Sequence, residues 1–287
     1  MPKELNFPYD EIGPTMGTIE CPSLCDWRPG ADVVELAPGE VRVWVVDLDA
    51  GLTPDQVETA EQGPESSLLS RDEQERADRF VRARDRRRFA VCRAALRTIL
   101  GGLLHQSPAS LRFRAAVRGK PELDAAQLSA HFNVSHSSEL ALIGVCRNHE
   151  LGVDLERVRT IGEADRIVAS FFSPAEHAEF GTIPDELKPL AFFRGWTRKE
   201  AILKGLGIGI AGLSARYETR FGTNALTPRF APISPVAVVD EWQLWEASPR
   251  ADFVATIAVR VPSSPDQPAP ATGARAVVAS SGKESVH

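Results

Sequence analysis

Five consecutive residues, Gly152, Val153, Asp154, Leu155 and Glu156, hold the most suggestive chemistry in the chain. On a strand side chains alternate, so Asp154 and Glu156 share one face while Val153 and Leu155 take the other. Two neighbouring carboxylates repel unless a cation lies between them. Hard oxygen donors of this kind suit Mg²⁺, which takes a few carboxylates and leaves room for water and phosphate oxygens. The same D-x-E pattern also serves as a solvated strand face. Asp47 and Asp49 make such a pair earlier in the chain and receive no metal role. Downstream, Trp196, Glu200 and Lys204 recur every four residues, on one side of a helix, with Lys199 beside them. Glu200 and Lys204 are oriented for a simple i,i+4 ion pair. They would equally supply a third metal carboxylate and a cation for phosphate.

Ser135 and His136 follow Asn133 in a short apolar-polar run just before the acids. A histidine among hydroxyls can donate to a phosphate oxygen or can be a hydrogen-bonded structural residue. Ten arginines fall between Arg71 and Arg97, Arg86, Arg87 and Arg88 consecutively. Guanidinium forks match phosphate geometry, although a charge run is also an ordinary solvated helix face. Gly205, Gly207 and Gly209 imitate a dinucleotide loop but follow a helix, where that fingerprint must follow a strand. His149-Glu150 does not continue to the second histidine of a zinc-hydrolase helix.

The elements that must position these groups are readable from periodicity. A β-branched run predicts a buried strand over residues 41–48. Helical spacing covers residues 72–100, with a break near 81–85 and Gly101-Gly102 as its stop. Further strands are predicted at 131–136, 140–146 and 152–158, the last two as a hairpin about 147–150. Helices follow at about 163–172, 174–180 and 184–204, Ser173-Pro174 supplying an N-cap and Gly205 a stop. Strands at 217–221, 242–246 and 253–259 complete the reading. Residues 1–39 lack sustained periodicity and form an extension of uncertain order; 262–287 have the composition of a disordered tail. Between them lie an N-terminal half, 40–133, and a C-terminal half with the metal site, 134–261.

Composition excludes several classes. A net charge of −6 argues against general nucleic-acid binding, and the local arginine field suits a small, multiply phosphorylated ligand instead. No apolar run approaches the roughly 20 residues needed to span a bilayer, and no signal pattern opens the chain. The four cysteines show no framework spacing, so a cytoplasmic protein with free thiols is expected.

Taken in order, six segments resemble the Sfp-type 4'-phosphopantetheinyl transferases: RADRFVRARDRRRF (76–89), GKPEL (119–123), FNVSHS (132–137), GVDLE (152–156), FFSPAE (171–176) and WTRKEAILKGLGIG (196–209). The resemblance covers roughly residues 41–259. It implies an α+β pseudo-dimer of two similar halves, with the active site in the cleft between them and the halves meeting near 130–137. It also implies a monomer acting without nucleic acid or membrane. The implied reaction is Mg²⁺-dependent transfer of 4'-phosphopantetheine from coenzyme A to a serine of an apo acyl or peptidyl carrier protein, as in secondary metabolite biosynthesis, releasing 3',5'-ADP. Asp154, Glu156 and Glu200 match the magnesium-binding acids. Arg76, Arg88, Lys120, Ser135, His136, Lys199 and Lys204 match coenzyme A contacts, and Glu200, Lys204 and His136 are the expected catalytic groups. A Mg²⁺-dependent phosphohydrolase or nuclease could use the same carboxylates, but it leaves the joint presence of the Ser-His, D-x-E and K-E-x-x-x-K segments unexplained.

Overall fold

The strand expected first decides the layering. In the computed structural model, which describes residues 22–29, 36–37, 39–59, 63–115, 121–123, 130–208, 217–222, 231–232 and 242–261, it is β2 (Val41–Asp47). Its alternate residues enter two different cores. Ahead of it in the chain lies β1 (Ser23–Asp26), and after it come α1 (Pro54–Val57), α2 (Arg71–Ala77) and α3 (Ala83–Leu104). Next are β3 (Phe113–Ala115), β4 (Pro121–Leu123), β5 (Ala130–Ser137), β6 (Leu140–Arg147) and β7 (Leu151–Arg157). The chain continues through α4 (Ala164–Phe171), α5 (Pro174–Gly181), α6 (Lys188–Gly205), β8 (Ala231–Pro232), β9 (Trp242–Ala247) and β10 (Phe253–Arg260).

Two four-stranded sheets result, one ordered β1-β2-β6-β5 and the other β7-β10-β9-β8, with β3 and β4 forming a separate pair. Val41, Val43 and Val45 of β2 and Leu140 and Leu142 of β6 meet Leu151, Val153 and Leu155 of β7 and Phe253, Ala255 and Ile257 of β10 in a core between the sheets. Trp44, Val46, Ala141, Ile143 and Val145 face the other way, onto Val91, Ala95, Leu96 and Ile99 of α3. On the far side, α6 packs Ala201, Ile202 and Leu203 with Trp242, Leu244 and Ala258 of the second sheet. The order of layers is therefore helix, sheet, sheet, helix, which explains why β2, β6 and β10 are apolar on both faces.

Several expectations are corrected. The segments expected as one hairpin, β6 and β7, belong to different sheets: β6 pairs antiparallel with β2 and β5, and β7 with β10. Their apolar faces stack across the inter-sheet core, so the connection at 148–150 carries the chain from one sheet to the next, with Asn148 in the left-handed region at φ 72°. The true hairpin is β5–β6. The helical break falls at residues 78–82, slightly before its expected place. Gly101 and Gly102 do not end α3, which runs on to Leu104 and closes at His105 with φ 52°. A Cβ at Gly101 would stand 2.8 Å from the Gln106 carbonyl oxygen, so this glycine serves close packing of the exit turn.

Residues 217–222 keep the expected alternation, with Tyr217, Thr219 and Phe221 buried, yet form no strand. Side chains replace a neighbouring strand there: Glu176 accepts from the Thr219 amide at 2.7 Å, and Arg198 donates to the carbonyls of Thr219 and Arg220 at 3.2 and 2.8 Å. The expected N-terminal extension contributes β1, parallel to β2. Among the described residues no helix is long and apolar enough to cross a membrane.

Cys25, Cys92 and Cys146 are free thiols. Burial pushes the Cys92 thiol up to about 11 and the Cys146 thiol up to about 12. The thiolate is the reactive form. Alkylation of the native protein at about pH 8, read by peptide mass spectrometry, is therefore expected to spare both until denaturant is added. Modification of either in the folded protein would contradict this core.

Candidate active site

Position 152 brings the helix and the acids together. A Cβ on Gly152 would lie 1.9 Å from the Ala201 carbonyl oxygen, so only glycine lets the α6 backbone settle directly on β7. That approach places one face of α6 over the β7 face bearing Asp154. Lys204 Nζ donates to Asp154 Oδ1 at 2.5 Å and to Ser135 Oγ at 2.9 Å. Ser135 itself donates to Asp154 Oδ1 at 2.9 Å. Next along the strand, Ser137 donates to Glu156 Oε2 at 2.9 Å.

Asp154 is buried, and its second oxygen, Oδ2, is a buried acceptor with no hydrogen-bond partner. Burial raises its carboxyl above the ordinary carboxylate range, against the opposing pull of Lys204 and Ser135. The Glu156 carboxyl is raised by burial and then by the charge of Asp154. Glu200 responds in the same way, raised by burial and by Asp154 against the pull of Lys204. Glu156 and Glu200 thus feel the charge of Asp154, all three acids are short of water, and a dication would relieve them. Among the described residues no group of three or more His, Cys, Asp or Glu side chains is arranged to hold a metal ion. Mg²⁺ does not need one, because it binds through one or two carboxylates and completes its octahedron with water and substrate phosphates.

The cationic side of the site is also present. His136 is exposed on its surface, yet enough protein surrounds the ring to lower its pKa, and the charges of Lys204 and Arg76 lower it further. Arg76 lies over the Phe89 ring at 5.3 Å and, with Arg79 and Phe80, lines a cleft of about 470 Å³. Arg79 and Phe80 lie in the arginine-rich segment 76–89, where the sequence alone gives neither an individual role.

The chain from residue 59 to residue 147 matches the sequence profile of the N-terminal part of 4'-phosphopantetheinyl transferases. Residues 150–258 match the profile of the 4'-phosphopantetheinyl transferase superfamily. The 4'-phosphopantetheinyl transferase HetI of Nostoc sp. is 37% identical over 241 residues, covering 81% of this chain and 93% of that protein. This chain belongs to the 4'-phosphopantetheinyl transferases.

Other members lie further off. The transferase ffp of Bacillus subtilis is 34% identical over 157 residues, 50% of this chain and 67% of its own. The mouse L-aminoadipate-semialdehyde dehydrogenase-phosphopantetheinyl transferase is 27% identical over 157 residues, 51% of each. The two matched profiles of this transferase part between residues 147 and 150, where the chain crosses from the first sheet to the second. The boundary between the two profiles thus falls at the crossing between the sheets.

Asp154, Glu156, Glu200, Lys204 and Ser135 converge in this transferase, with His136 and Arg76 at the margin of their field. Two expected coenzyme A contacts do not join them. Arg88 is held as a fork on Asp49, Nε at 2.9 Å and the terminal nitrogen at 2.5 Å, so its guanidinium is already matched by a carboxylate. Lys199 is fully buried, pairs with Glu176 at 2.9 Å and donates to the Tyr217 carbonyl. One position along a helix is a rotation of about 100°, which turns Lys199 into the interior while Glu200 and Lys204 face the acids. Lys120 lies outside the described residues.

The raised carboxyl of Glu200 has a stability consequence. Below the ordinary glutamate pKa the group is protonated whether the chain is folded or not, and its burial carries no charge penalty. As pH rises through the higher folded value, the native state increasingly holds an unfavourable charge and stability falls. Glu200→Gln, in metal-free protein, is expected to raise the thermal midpoint at about pH 7.5 and to match wild type near about pH 4. A difference of equal size at both pH values would contradict the assignment.

Proposed function

We propose that this transferase is of the Sfp type and moves 4'-phosphopantetheine from coenzyme A to the serine of an apo acyl or peptidyl carrier protein, with Mg²⁺, releasing 3',5'-ADP. The carrying observation is the buried, unpartnered Oδ2 of Asp154, set beside Glu156 and Glu200 and opposite Lys204. An acceptor left so costs stability unless a ligand completes it. Asp154 and Glu156 would hold the ion, with Glu200 as the third carboxylate. Bound there, Mg²⁺ would neutralise the pyrophosphate oxygens of coenzyme A and stabilise the charge that develops on the leaving group.

The carrier serine attacks the β-phosphorus, its oxygen forming the new P–O bond as the bond to the 3',5'-ADP oxygen breaks. Its proton needs an acceptor. Glu200, the third carboxylate of the cluster, would accept it, directly or through a water. Lys204, partly exposed on a flexible stem, can turn from Asp154 to a phosphate oxygen and carry its charge there. His136, with its lowered pKa, offers chiefly a neutral N–H to the same phosphates. Arg76 and Arg79, exposed at the cleft, would take the nucleotide phosphate, and Phe80 is an apolar surface beside them.

In this reading the two sheet halves are the two units of a pseudo-dimer, the site lies at their seam, and one chain suffices as a monomer. Free thiols accord with a cytoplasmic setting. Chromatography of the reaction mixture tests the reading. Release of 3',5'-ADP from coenzyme A is expected only when apo carrier is present. Release at equal rate without carrier would sink it and favour a phosphohydrolase.

A further inference from the structure

β5 is the edge strand of the first sheet and β7 the edge strand of the second. No ladder of backbone bonds joins these edges; side chains join them instead. Asn133 Oδ1 accepts from the Val153 amide at 3.0 Å, Ser135 Oγ from the Leu155 amide at 3.2 Å and Ser137 Oγ from the Arg157 amide at 3.1 Å. The register advances by two on both strands, so each rung repeats the one before. The β7 amides that would otherwise stand unpaired at a sheet edge are satisfied this way.

The rungs are not chemically equal. A serine that accepts from an amide still has its O–H to donate, and both serines give it to the acid immediately preceding that amide. Ser135 donates to Asp154 Oδ1 and Ser137 to Glu156 Oε2, each at 2.9 Å. A hydroxyl has one donor and two acceptor sites. Those of Ser135 are filled by Asp154, the Leu155 amide and Lys204, so nothing remains for a phosphate while Lys204 is in place. Its neighbour Ser137 has no lysine upon it, and its bonds fix a single acid against the strand that carries it.

We infer that Ser137 is a positioning residue for the transferase reaction: its hydroxyl, anchored on the Arg157 amide, sets the Glu156 carboxylate in the orientation that receives the divalent cation, as Ser135 does for Asp154. The inference rests on the metal reading given above. Groups that orient a metal ligand in this way change metal affinity by roughly 10- to 100-fold when removed.

The test is calorimetric titration of Mg²⁺ into the full-length protein saturated with coenzyme A. Ser137→Ala is expected to weaken Mg²⁺ binding about 10- to 100-fold, with kcat largely recovered at saturating Mg²⁺. Ser137→Thr keeps the hydroxyl and is expected to hold near wild-type affinity. Asn133→Ala removes a rung that touches no acid, and should lower the thermal midpoint without altering Mg²⁺ affinity. Unchanged affinity in Ser137→Ala, an equal loss in Ser137→Thr, or an equal loss in Asn133→Ala would each overturn the inference while leaving the metal site standing. A wild-type protein that binds no Mg²⁺ in the presence of coenzyme A would overturn the metal reading and the inference with it.

Discussion

Asp154→Asn is expected to lower the rate of carrier modification about 10³-fold while leaving the protein folded. The substitution keeps the shape and a hydrogen-bond acceptor for Ser135 but removes the charge that faces Lys204 and the unpartnered oxygen. Asp154 would act by holding the ion that neutralises the developing phosphate charge, and losing that stabilisation is expected to raise the barrier by roughly 4 kcal/mol, which corresponds to about that factor. Stability should move the other way. Burial holds the Asp154 carboxyl above its ordinary range, so the ionised form is a net cost to the metal-free native state at neutral pH. The thermal midpoint of the variant should equal or exceed that of wild type. Initial rates at saturating coenzyme A, with calorimetry on the same preparation, check both halves. A rate within tenfold of wild type would remove Asp154 from the chemistry.

Lys199→Met is expected to do the opposite, costing stability and sparing substrate affinity. The ammonium and its partner Glu176 are both buried, and Glu176 also accepts from the Ser173 and Thr219 amides at 2.8 and 2.7 Å. Removing one member of such a pair leaves an uncompensated charge in the interior, a loss of about 3–5 kcal/mol. At roughly 2–4 °C per kcal/mol for a chain of this size, the midpoint should fall by about 10 °C. Adding Glu176→Gln to the same chain should restore only part of the loss, because no lone charge remains but one of the two amides then faces an NH2 donor. The Michaelis constant for coenzyme A should stay within about threefold of wild type, less than 1 kcal/mol. A normal midpoint with a sharply raised constant would return Lys199 to the ligand contacts.

The contrast between these residues shows where sequence reading succeeds. Alternation on a strand is a rigid geometric rule that puts Asp154 and Glu156 on one face, and helical spacing sets Glu200 beside Lys204; the structure brings these groups together. Local rules also marked the break before α3 and the Ser173 cap, whose hydroxyl accepts from the Glu176 amide. Partner choice is different, because it depends on residues far away in the chain. Nothing near Lys199 announces that Glu176 will neutralise it, and nothing near Arg88 announces Asp49. The strand pairing failed for a related reason. Two apolar runs separated by a few polar residues fit a hairpin, but they fit equally well a chain that crosses between stacked sheets, and only the apolar content of β2 and β10 decides between them. The serine rungs were legible in principle, since Asn133, Ser135 and Ser137 share the period of two that marks the acids. Their meaning required knowing that β5 and β7 are neighbouring edges.

One cluster of acids and a lysine, with a metal ion, is expected to perform phosphopantetheine transfer to a carrier. Intact-protein mass spectrometry of several apo carrier proteins, incubated with this protein, coenzyme A and Mg²⁺, tests it most directly. The expected result is a gain of one phosphopantetheine on the serine of at least one carrier, abolished by EDTA and by Asp154→Asn. Modification that proceeds undiminished with EDTA or with Asp154→Asn would contradict the site. A folded protein that binds no coenzyme A and modifies no carrier would contradict the reaction.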